Sequence, residues 1–417
     1  MAEAYIIDTV RTPRGIGKMG KGALSQMIPE HLSAAVLAAI KERNNLDTAD
    51  VDDVIWGVSG AIGAQGGDVG RNAALDAGYD IKAGGVTLNR FCGSSITATN
   101  FAAATIIAGM NDLVVAGGQD MLSYVNWYGQ KLHEAGMGSG GMGANNPRLQ
   151  ARHPQSNQGV CADAIAAMEG IGRAELEALG VESQRRADIA LKEGRFAGST
   201  ITVKDDAGNV ILDHEEYPRP DTTAEGLAQL KPAFAMFRDM PSGKDKPTFG
   251  QLINQVYPEV TIEPIHHVGI SSGVVDGAAA VLLASGEYAE QHGLKPRARI
   301  VAMAEIGDCP TLMLNAPVPA ARKVLEKAGL TKDDIDVWEI NEAFAVVAEK
   351  FIRDLDLDRS KVNPNGGSIA LGHPIAATGA ILIGTALDEL ERTGGRYGLI
   401  TMCAAGGMAP AIIIERV

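Results

Sequence analysis

The sequence predicts an α/β protein with buried sheets. Three observations support this: short apolar runs rich in β-branched residues, Ala-rich helical segments that alternate with them, and a similar order of features in the two halves of the chain. Alternation of strands and helices is typical of sheets covered by helices. The chain has 417 residues, more than the roughly 100–200 residues of one domain, so we expect several packed units.

The predicted strands are short apolar runs, each bounded by turn-forming or polar residues. They lie at 4–7, 54–56, 113–116, 280–283, 300–304, 337–340, 399–402 and 411–414. The predicted helices are longer and rich in alanine, and they lie at 30–41, 95–108, 318–327, 343–351 and 376–390.

The two halves of the chain repeat an ordered set of features. Trp56 and Trp338 each end a similar Asp- and Val-containing run, and they precede Cys92 and His373 by similar distances. Each of those two residues is followed by an Ala-rich helix and then by a strand that runs into Ala-Gly-Gly. This order predicts two similar α/β halves that face one another.

The segment between the halves has a different composition. Residues 123–266 are rich in Gly, Pro, Met and charge, include the Gly-rich loop 136–143, and show few strand signals. Long insertions in compact domains usually carry function, so we expect a lid-like loop domain here. The predicted units are therefore 1–122 with 267–285, the insertion 123–266, and 286–417.

The formal net charge of −14 argues against an extended nucleic-acid surface, because such surfaces carry a basic stripe. Within 195–246, five basic residues either form a local patch for an anionic ligand or are solvated loop charge. They are Arg219, Lys231, Arg238, Lys244 and Lys246.

Four cysteines without paired spacing or a CxxC pattern indicate a reducing compartment and no metal site. No secretory signal and no long apolar span is recognisable, so we expect a cytoplasmic protein with no membrane partner.

Cys92 is the first candidate for chemistry. It lies where a predicted strand gives way to an Ala-rich helix, and the positive end of the helix dipole would lower the pKa of its thiol. The alternative is a buried cysteine that acts as a small apolar residue.

Three other residues lie at similar junctions. His373 is in a Gly-framed turn before a helix, where it could act as a base or simply bind a loop carbonyl. Cys403 follows a strong apolar strand, where a thiol could move protons on carbon and the next backbone N–H groups could bind an oxyanion. Asn341 could take part in the chemistry or cap the following helix.

Taken together, the four motifs resemble the signature set of the thiolases. They are Cys-Gly-Ser at 92–94, Asn-Glu-Ala-Phe-Ala at 341–345, Gly-His-Pro at 372–374 and Cys-x-x-Gly-Gly at 403–407. The likeness covers nearly the whole chain. It implies a duplicated αβαβα sandwich with an inserted loop domain that closes over coenzyme A.

The resemblance also implies roles. Cys92 is the nucleophile that holds the acyl group, and His373 is its base. Cys403 takes a proton from, or returns it to, the acetyl carbon. Asn341 holds a water that forms one oxyanion hole with His373, and the backbone N–H groups of Cys92 and Ala405 form the other. The residues implied in binding coenzyme A are Ser272, Arg219, Ala343 and Phe344.

The substrates implied are acyl-CoA and coenzyme A, with no metal or redox cofactor, in a homodimer or homotetramer. The chain departs from the family pattern at Ser95, Asn157-Gln158-Gly159, Ala376 and Ala405, without loss of a catalytic group. The segment Asn157-Gln158-Gly159 corresponds to one beside the acyl site in the family, so it leaves the acyl-chain preference open. Two alternatives are a ketoacyl-synthase-type condensing enzyme, which would lack Cys403, and a non-catalytic acyl-CoA or lipid-binding protein on the same scaffold. Retention of all four motifs disfavours both.

Overall fold

The computed structural model describes residues 3–137, 146–243 and 245–417. Its strands are β1 Ala4–Arg11, β2 Gly15–Ile16, β3 Asp53–Val58, β4 Val86–Leu88, β5 Leu113–Met121, β6 Val203–Lys204, β7 Val210–Leu212, β8 Val275–Ser285, β9 Ala298–Gly307, β10 Val337–Ile340, β11 Tyr397–Thr401 and β12 Met408–Arg416. All eight predicted strands are confirmed. The other four have two or three residues each, too few to show a pattern, and one of them, β4, is the strand that was expected before Cys92 without bounds.

The helices include all five predicted ones. They are α1 Pro29–Arg43, α2 Val69–Asp76, α3 Ser94–Ile107, α4 Leu122–Glu134, α5 Pro147–Arg152, α6 Gln158–Glu169, α7 Arg173–Lys192, α8 Ala224–Ala228, α9 Ala235–Asp239, α10 Phe249–Asn254, α11 Gly286–His292, α12 Pro317–Ala328, α13 Ala345–Leu355, α14 Ser368–Leu371 and α15 Thr378–Thr393. In the part of the chain that is described, no helix combines the length and apolar character needed to cross a bilayer.

The main sheet has the order β10-β11-β12-β9-β1-β8-β5-β3-β4. Its two ends are parallel, with β3 between β4 and β5 and with β10 beside β11, whereas the middle is antiparallel. The junction of β1 with β9 consists of only two residue pairs, Tyr5↔Arg299 and Ile6↔Ala298. The sheet is therefore two half-sheets that meet at a short seam.

Two central helices, α3 and α15, lie between the half-sheets. Ile96 of α3 and Ile381 of α15 share one apolar core with Val114 of the first half-sheet and Ile412 of the second. Helix α1 covers the outer face of the first half-sheet, and α12 covers that of the second. The order of layers confirms the predicted αβαβα sandwich.

The two tryptophans of the sequence repeat are buried on the outer faces. Trp56 donates its indole N–H to Ser33 Oγ at 2.8 Å, and Trp338 packs edge-to-face on Phe351 at 5.9 Å between centroids. Both belong to outer apolar cores, one under α1 and one under α12 and α13.

The insertion carries α4 to α10 and the β6–β7 hairpin, and α7 packs on α13 and α14 of the second half. Residues 138–143 of the predicted Gly-rich loop, and Lys244 of the basic stretch, lie outside the described residues. The unit boundaries derived from the sequence stay a prediction.

Candidate active site

A sharp turn places Cys92 at the entrance of α3. Phe91, just before it, adopts a left-handed backbone conformation with φ of 50°. The turn is held by Asn89, whose side-chain oxygen accepts the Phe91 N–H at 2.7 Å, and by Ser94, whose hydroxyl accepts the Arg90 N–H at 2.9 Å. A bulky residue in this conformation is unusual and indicates a geometric requirement, here the presentation of the thiol.

The backbone N–H groups of Cys92 and Ala405 lie close enough to the Cys92 sulfur to favour its thiolate form. They are the two groups that the family resemblance assigns to one oxyanion hole. The left-handed conformations in this turn belong to Gly406 (φ 84°) and Gly407 (φ 76°), so the alanine at 405 is compatible with the donor geometry.

The expectation of a lowered pKa for Cys92 is wrong for this structure. Burial, reinforced by the Asp120 carboxylate, raises the pKa of the thiol to about 12. The helix terminus and the two N–H groups do not offset the removal of a thiolate from water. Cys92 is therefore a neutral thiol, which would need a base in order to act as a nucleophile.

His373 is held at both ring nitrogens. Ser368 donates its hydroxyl hydrogen to Asn341 Oδ1 at 2.5 Å, so the Asn341 amide N–H group faces His373 Nε2, at 3.4 Å. The other ring nitrogen, Nδ1, lies 2.6 Å from Thr378 Oγ1. This set of partners assigns the proton to Nδ1 and leaves the Nε2 lone pair available as a base.

The charge state of His373 suits that role. Burial, followed by the positive charge of Arg14, lowers the pKa of the imidazole to about 3. The backbone N–H of His373 donates to the Gly273 carbonyl at 2.8 Å, whereas the ring binds side chains. The alternative interpretation, in which the His373 ring binds a loop carbonyl, is therefore wrong.

Asn341 follows β10 directly and does not cap α13, whose N-cap is Phe344. The capping interpretation is therefore wrong. The neighbouring Glu342 fixes this segment, because its carboxylate accepts hydrogen bonds from Ser183 of α7 (2.7 Å), Asn363 (3.1 Å) and the Ile369 backbone (3.2 Å).

Cys403 follows β11 and is 1% exposed. Burial and the neighbouring Cys92 raise the pKa of its thiol. The residues next to the two cysteines are in contact, since a methyl group on Gly93 would lie 3.5 Å from the Ala404 side chain, so the two thiols, one from each half, lie in the same site.

Three residues of this site were missed in the sequence: Thr378, Ser368 and Asp120. Asp120 joins the two halves, because it accepts the Ala376 N–H at 2.7 Å and the Gln65 amide at 2.7 Å. Burial raises its pKa to about 6. The sequence gives only weak indications of these residues: Thr378 carries a hydroxyl five positions after His373, and Ser368 follows two glycines.

Replacing Thr378 with valine should lower kcat by roughly 10–100-fold, the range typical for loss of a group that orients a histidine. Valine keeps the shape but leaves His373 Nδ1–H without its acceptor, so the ring loses its fixed tautomer. Steady-state thiolysis measures the effect, with Thr378→Ser as the matched control. Equal activity of the two folded variants would contradict the assigned tautomer.

A cavity of about 690 Å³ lies beside the site and is lined by residues that include Lys18, Trp127, Tyr217, Phe234 and Ser272. The Ser272 N–H donates to the Ala343 carbonyl at 3.0 Å, and Phe344 packs edge-to-face on Phe234 at 5.6 Å. Arg219 lies over the ring of Tyr217 at 5.8 Å. Ser272 thus faces the cavity directly, whereas Ala343, Phe344 and Arg219 support its wall.

The basic stretch does not form one tight cluster. Arg238 pairs with Asp239 at 2.7 Å, whereas Arg219, Lys231 and Lys246 are exposed. Of this set, Arg219 contacts the cavity wall at Tyr217, and the Arg238 backbone N–H donates to the Phe234 carbonyl at 3.1 Å.

The chain matches two family models, described as thiolase N-terminal domain, over residues 4–237, and thiolase C-terminal domain, over residues 294–416. It is 40% identical over 433 residues to a beta-ketoadipyl-CoA thiolase of Acinetobacter baylyi, covering 100% of both chains. It is 40% identical over 420 residues to the steroid 3-ketoacyl-CoA thiolase FadA6 of Mycobacterium tuberculosis, covering 100% of this chain and 95% of the relative. A 3-oxoadipyl-CoA/3-oxo-5,6-dehydrosuberyl-CoA thiolase of Escherichia coli is 39% identical over 430 residues, with 100% of both chains covered.

Proposed function

The chain belongs to the thiolase family and catalyses thiolytic cleavage or condensation of acyl-CoA substrates, and we propose here which of its residues carry out the reaction and which acyl-CoA substrates it takes. The observation that carries the proposal is the convergence of two buried thiols and one neutral imidazole from both halves of the chain.

Cleavage begins at Cys92. His373 Nε2 accepts the thiol proton while the sulfur adds to the 3-keto carbon of the substrate. The oxyanion then lies at the N–H groups of Cys92 and Ala405, where fixed donors stabilise it. Support for this step is the position of both N–H groups at the sulfur, the atom to which the reacting carbon becomes bonded.

Collapse of this intermediate breaks the bond between C2 and C3. The acyl group stays on Cys92 as a thioester, and the electron pair leaves as the enolate of acetyl-CoA. Cys403 protonates C2 of that enolate, whose oxygen is stabilised by protonated His373 and by a water on Asn341. Transfer of the remaining proton from His373 to the Cys403 thiolate then restores both neutral groups.

The second half-reaction transfers the acyl group to coenzyme A. His373 accepts the proton of the incoming thiol, whose sulfur attacks the Cys92 thioester, and Cys92 leaves and recovers that proton. Condensation follows the same steps in reverse. Atoms and charges balance with coenzyme A and its thioesters alone, so we propose no metal or redox cofactor.

The chain-length preference is inferred from the relatives. Their names specify beta-ketoadipyl-CoA, 3-oxoadipyl-CoA and steroid 3-ketoacyl-CoA, all larger than acetoacetyl-CoA. We propose an acetyl-CoA C-acyltransferase that removes acetyl-CoA from such longer 3-ketoacyl-CoA substrates in a degradative pathway such as β-oxidation. The departure at Asn157–Gly159 lies beside Phe234 of the cavity, since a methyl group on Gly159 would lie 2.1 Å from its ring.

Thiolysis of acetoacetyl-CoA, 3-ketohexanoyl-CoA and 3-ketoadipyl-CoA by the same preparation tests this specificity. We expect kcat/KM to be higher for one or both of the longer substrates than for acetoacetyl-CoA. Cys92→Ser is the control for non-enzymatic cleavage. A clear preference for acetoacetyl-CoA would contradict the proposed specificity while leaving the thiolase reaction intact.

We also propose that the protein works in the cytoplasm as a homodimer or homotetramer. Support for assembly comes from β4, which ends the sheet and exposes Val86, and from Phe101, an exposed aromatic on α3. Unpaired edge strands with apolar side chains favour association. Light scattering after gel filtration gives the mass, and a monomer at micromolar concentration would contradict the assembly.

The two alternatives are not favoured. Both thiolase models match, one in each half, and the four motifs include Cys403, which a ketoacyl-synthase-type enzyme would lack. A non-catalytic binding protein would have no need for two thiols that share one buried site with a neutral histidine.

A further inference from the structure

Two buried arginines share a single carboxylate near the active site. Glu215 of the insertion accepts a hydrogen bond from Arg11 Nη1 at 2.5 Å and one from the Arg14 backbone N–H at 2.9 Å, and it lies 3.5 Å from Arg14 Nη1. The three side chains are 3–5% exposed. Buried charges are normally balanced by partners. This cluster has two cations and one anion.

The other groups that face Arg14 do not restore the balance. The carboxyl group that faces it from β10 is Glu339, and burial, with Glu342 and Glu389 as neighbours, raises its pKa well above the ordinary value. Within the described residues, neither Glu339 oxygen has a hydrogen-bond partner. Burial lowers the pKa of Arg14 only to about 10, so the guanidinium stays charged at neutral pH. Within the ion-paired cluster, two guanidinium groups therefore face one carboxylate.

The Arg14 loop packs against the segment that holds His373. The Thr12 N–H donates to the Ala278 carbonyl at 3.0 Å. A methyl group on Gly277 would contact both Pro374, at 3.1 Å, and the Thr12 hydroxyl, at 3.6 Å. Charge acts over a longer range in a buried, weakly polarisable region than in water, so Arg14 influences groups that it does not touch.

We propose that Arg14 is a positioning residue of the thiolase reaction, because it supplies a fixed positive charge that favours the anions formed at the active site. Its ion pair with Glu215 couples the position of that charge to the packing of the insertion on the first half of the chain. The proposal rests on the proposed roles of Cys92 and His373. Its consequence for His373 is direct, since a nearby cation disfavours the imidazolium form.

The pH dependence of acylation tests this inference. Activity requires neutral His373 and is lost as pH falls through its pKa. Removing the Arg14 charge raises that pKa, so in Arg14→Met the loss of Cys92 acylation by acetyl-CoA should begin at higher pH than in the native protein. Arg14→Lys keeps the charge and should retain the native profile. Asp120, Glu342, Cys92 and Cys403 also titrate at the site, but they are the same in every variant.

Arg297→Met is the matched control, because Arg297 pairs with Asp388 at 2.8 Å and Glu391 at 2.7 Å on another part of the protein. It should leave the pH profile unchanged. An unshifted profile in Arg14→Met, with normal acylation at high pH, would overturn the Arg14 proposal and leave the proposed function standing. No acylation of the native protein at any pH would instead contradict the proposed function.

Folding is monitored by circular dichroism, and Arg14→Gln replaces Arg14→Met if the latter does not fold. If neither neutral variant folds whereas Arg14→Lys does, the charge serves the fold and the proposal is overturned.

Discussion

Replacing Cys92 with serine should lower thiolysis by at least about 10⁴-fold, the scale of loss typical when the nucleophile of a covalent mechanism is removed. Serine keeps the size of the side chain, so the turn at Phe91 and the N–H groups at Cys92 and Ala405 are retained. The hydroxyl is a much weaker nucleophile than the thiol, even with His373 as base. Steady-state release of acetyl-CoA from a 3-ketoacyl-CoA measures the loss.

Cys161→Ser is the matched control for this experiment. Cys161 is also a buried, unpaired thiol, but it lies on α6 and bonds the Thr311 carbonyl at 3.2 Å, a contact that serine can keep. It should retain near-native activity. Substantial thiolysis by Cys92→Ser, or an equal loss in Cys161→Ser, would contradict the assignment of Cys92 as nucleophile.

Replacing Cys403 with alanine should separate the two halves of the reaction. Carbon–carbon bond formation needs a group that removes a proton from the acetyl methyl, and loss of such an acid–base group costs about 10²–10⁴-fold. Acylation of Cys92 by acetyl-CoA breaks no carbon–carbon bond, so it should fall much less. The buried methyl of alanine fits the space of the thiol, so the fold should persist.

Two assays on the same variant measure this separation. The burst of coenzyme A released by acetyl-CoA reports acylation, and acetoacetyl-CoA or longer product reports condensation. Cys403→Ser is the variant with which Cys403→Ala is compared, because its hydroxyl has a polar hydrogen but lacks the acidity of a thiol. Equal loss of both steps in Cys403→Ala would contradict its role at carbon and indicate damage to the shared site.

The sheet strands could be predicted because their signal is local. Buried strands such as β5 and β12 are apolar on both faces, and their residues form continuous runs. By contrast, β4 has only three residues: a strand was expected just before Cys92, but its bounds could not be derived from so short a run. Its position follows from pairing with β3, a contact that one short run of sequence does not encode.

The candidate residues could be found because each belongs to a local motif, but their electrostatics could not. The position of Cys92 before a helix predicted a lowered thiol pKa, whereas the depth of the site raises it to about 12. The depth of burial depends on how the two halves pack together, so it cannot be predicted from the sequence near Cys92.

Thr378 and Asp120 could not be found from the sequence, because they act through tertiary contacts. Asp120 lies at the end of β5, far in sequence from Ala376, yet it bonds the backbone just after His373. Residues whose role is a tertiary contact show no pattern in a single sequence. Asn341 was open to two interpretations for the same reason: the N-cap of α13 is Phe344, and the Asn341 amide instead accepts a hydrogen bond from Ser368.

Whether Cys92 carries the acyl group is tested most directly by the intact mass after incubation with acetyl-CoA, followed by peptide mapping. We expect one acetyl group per chain, on the peptide that contains Cys92, and no such adduct in Cys92→Ser. Binding of coenzyme A without any adduct on Cys92, or an acetyl group that maps to another cysteine, would contradict this expectation.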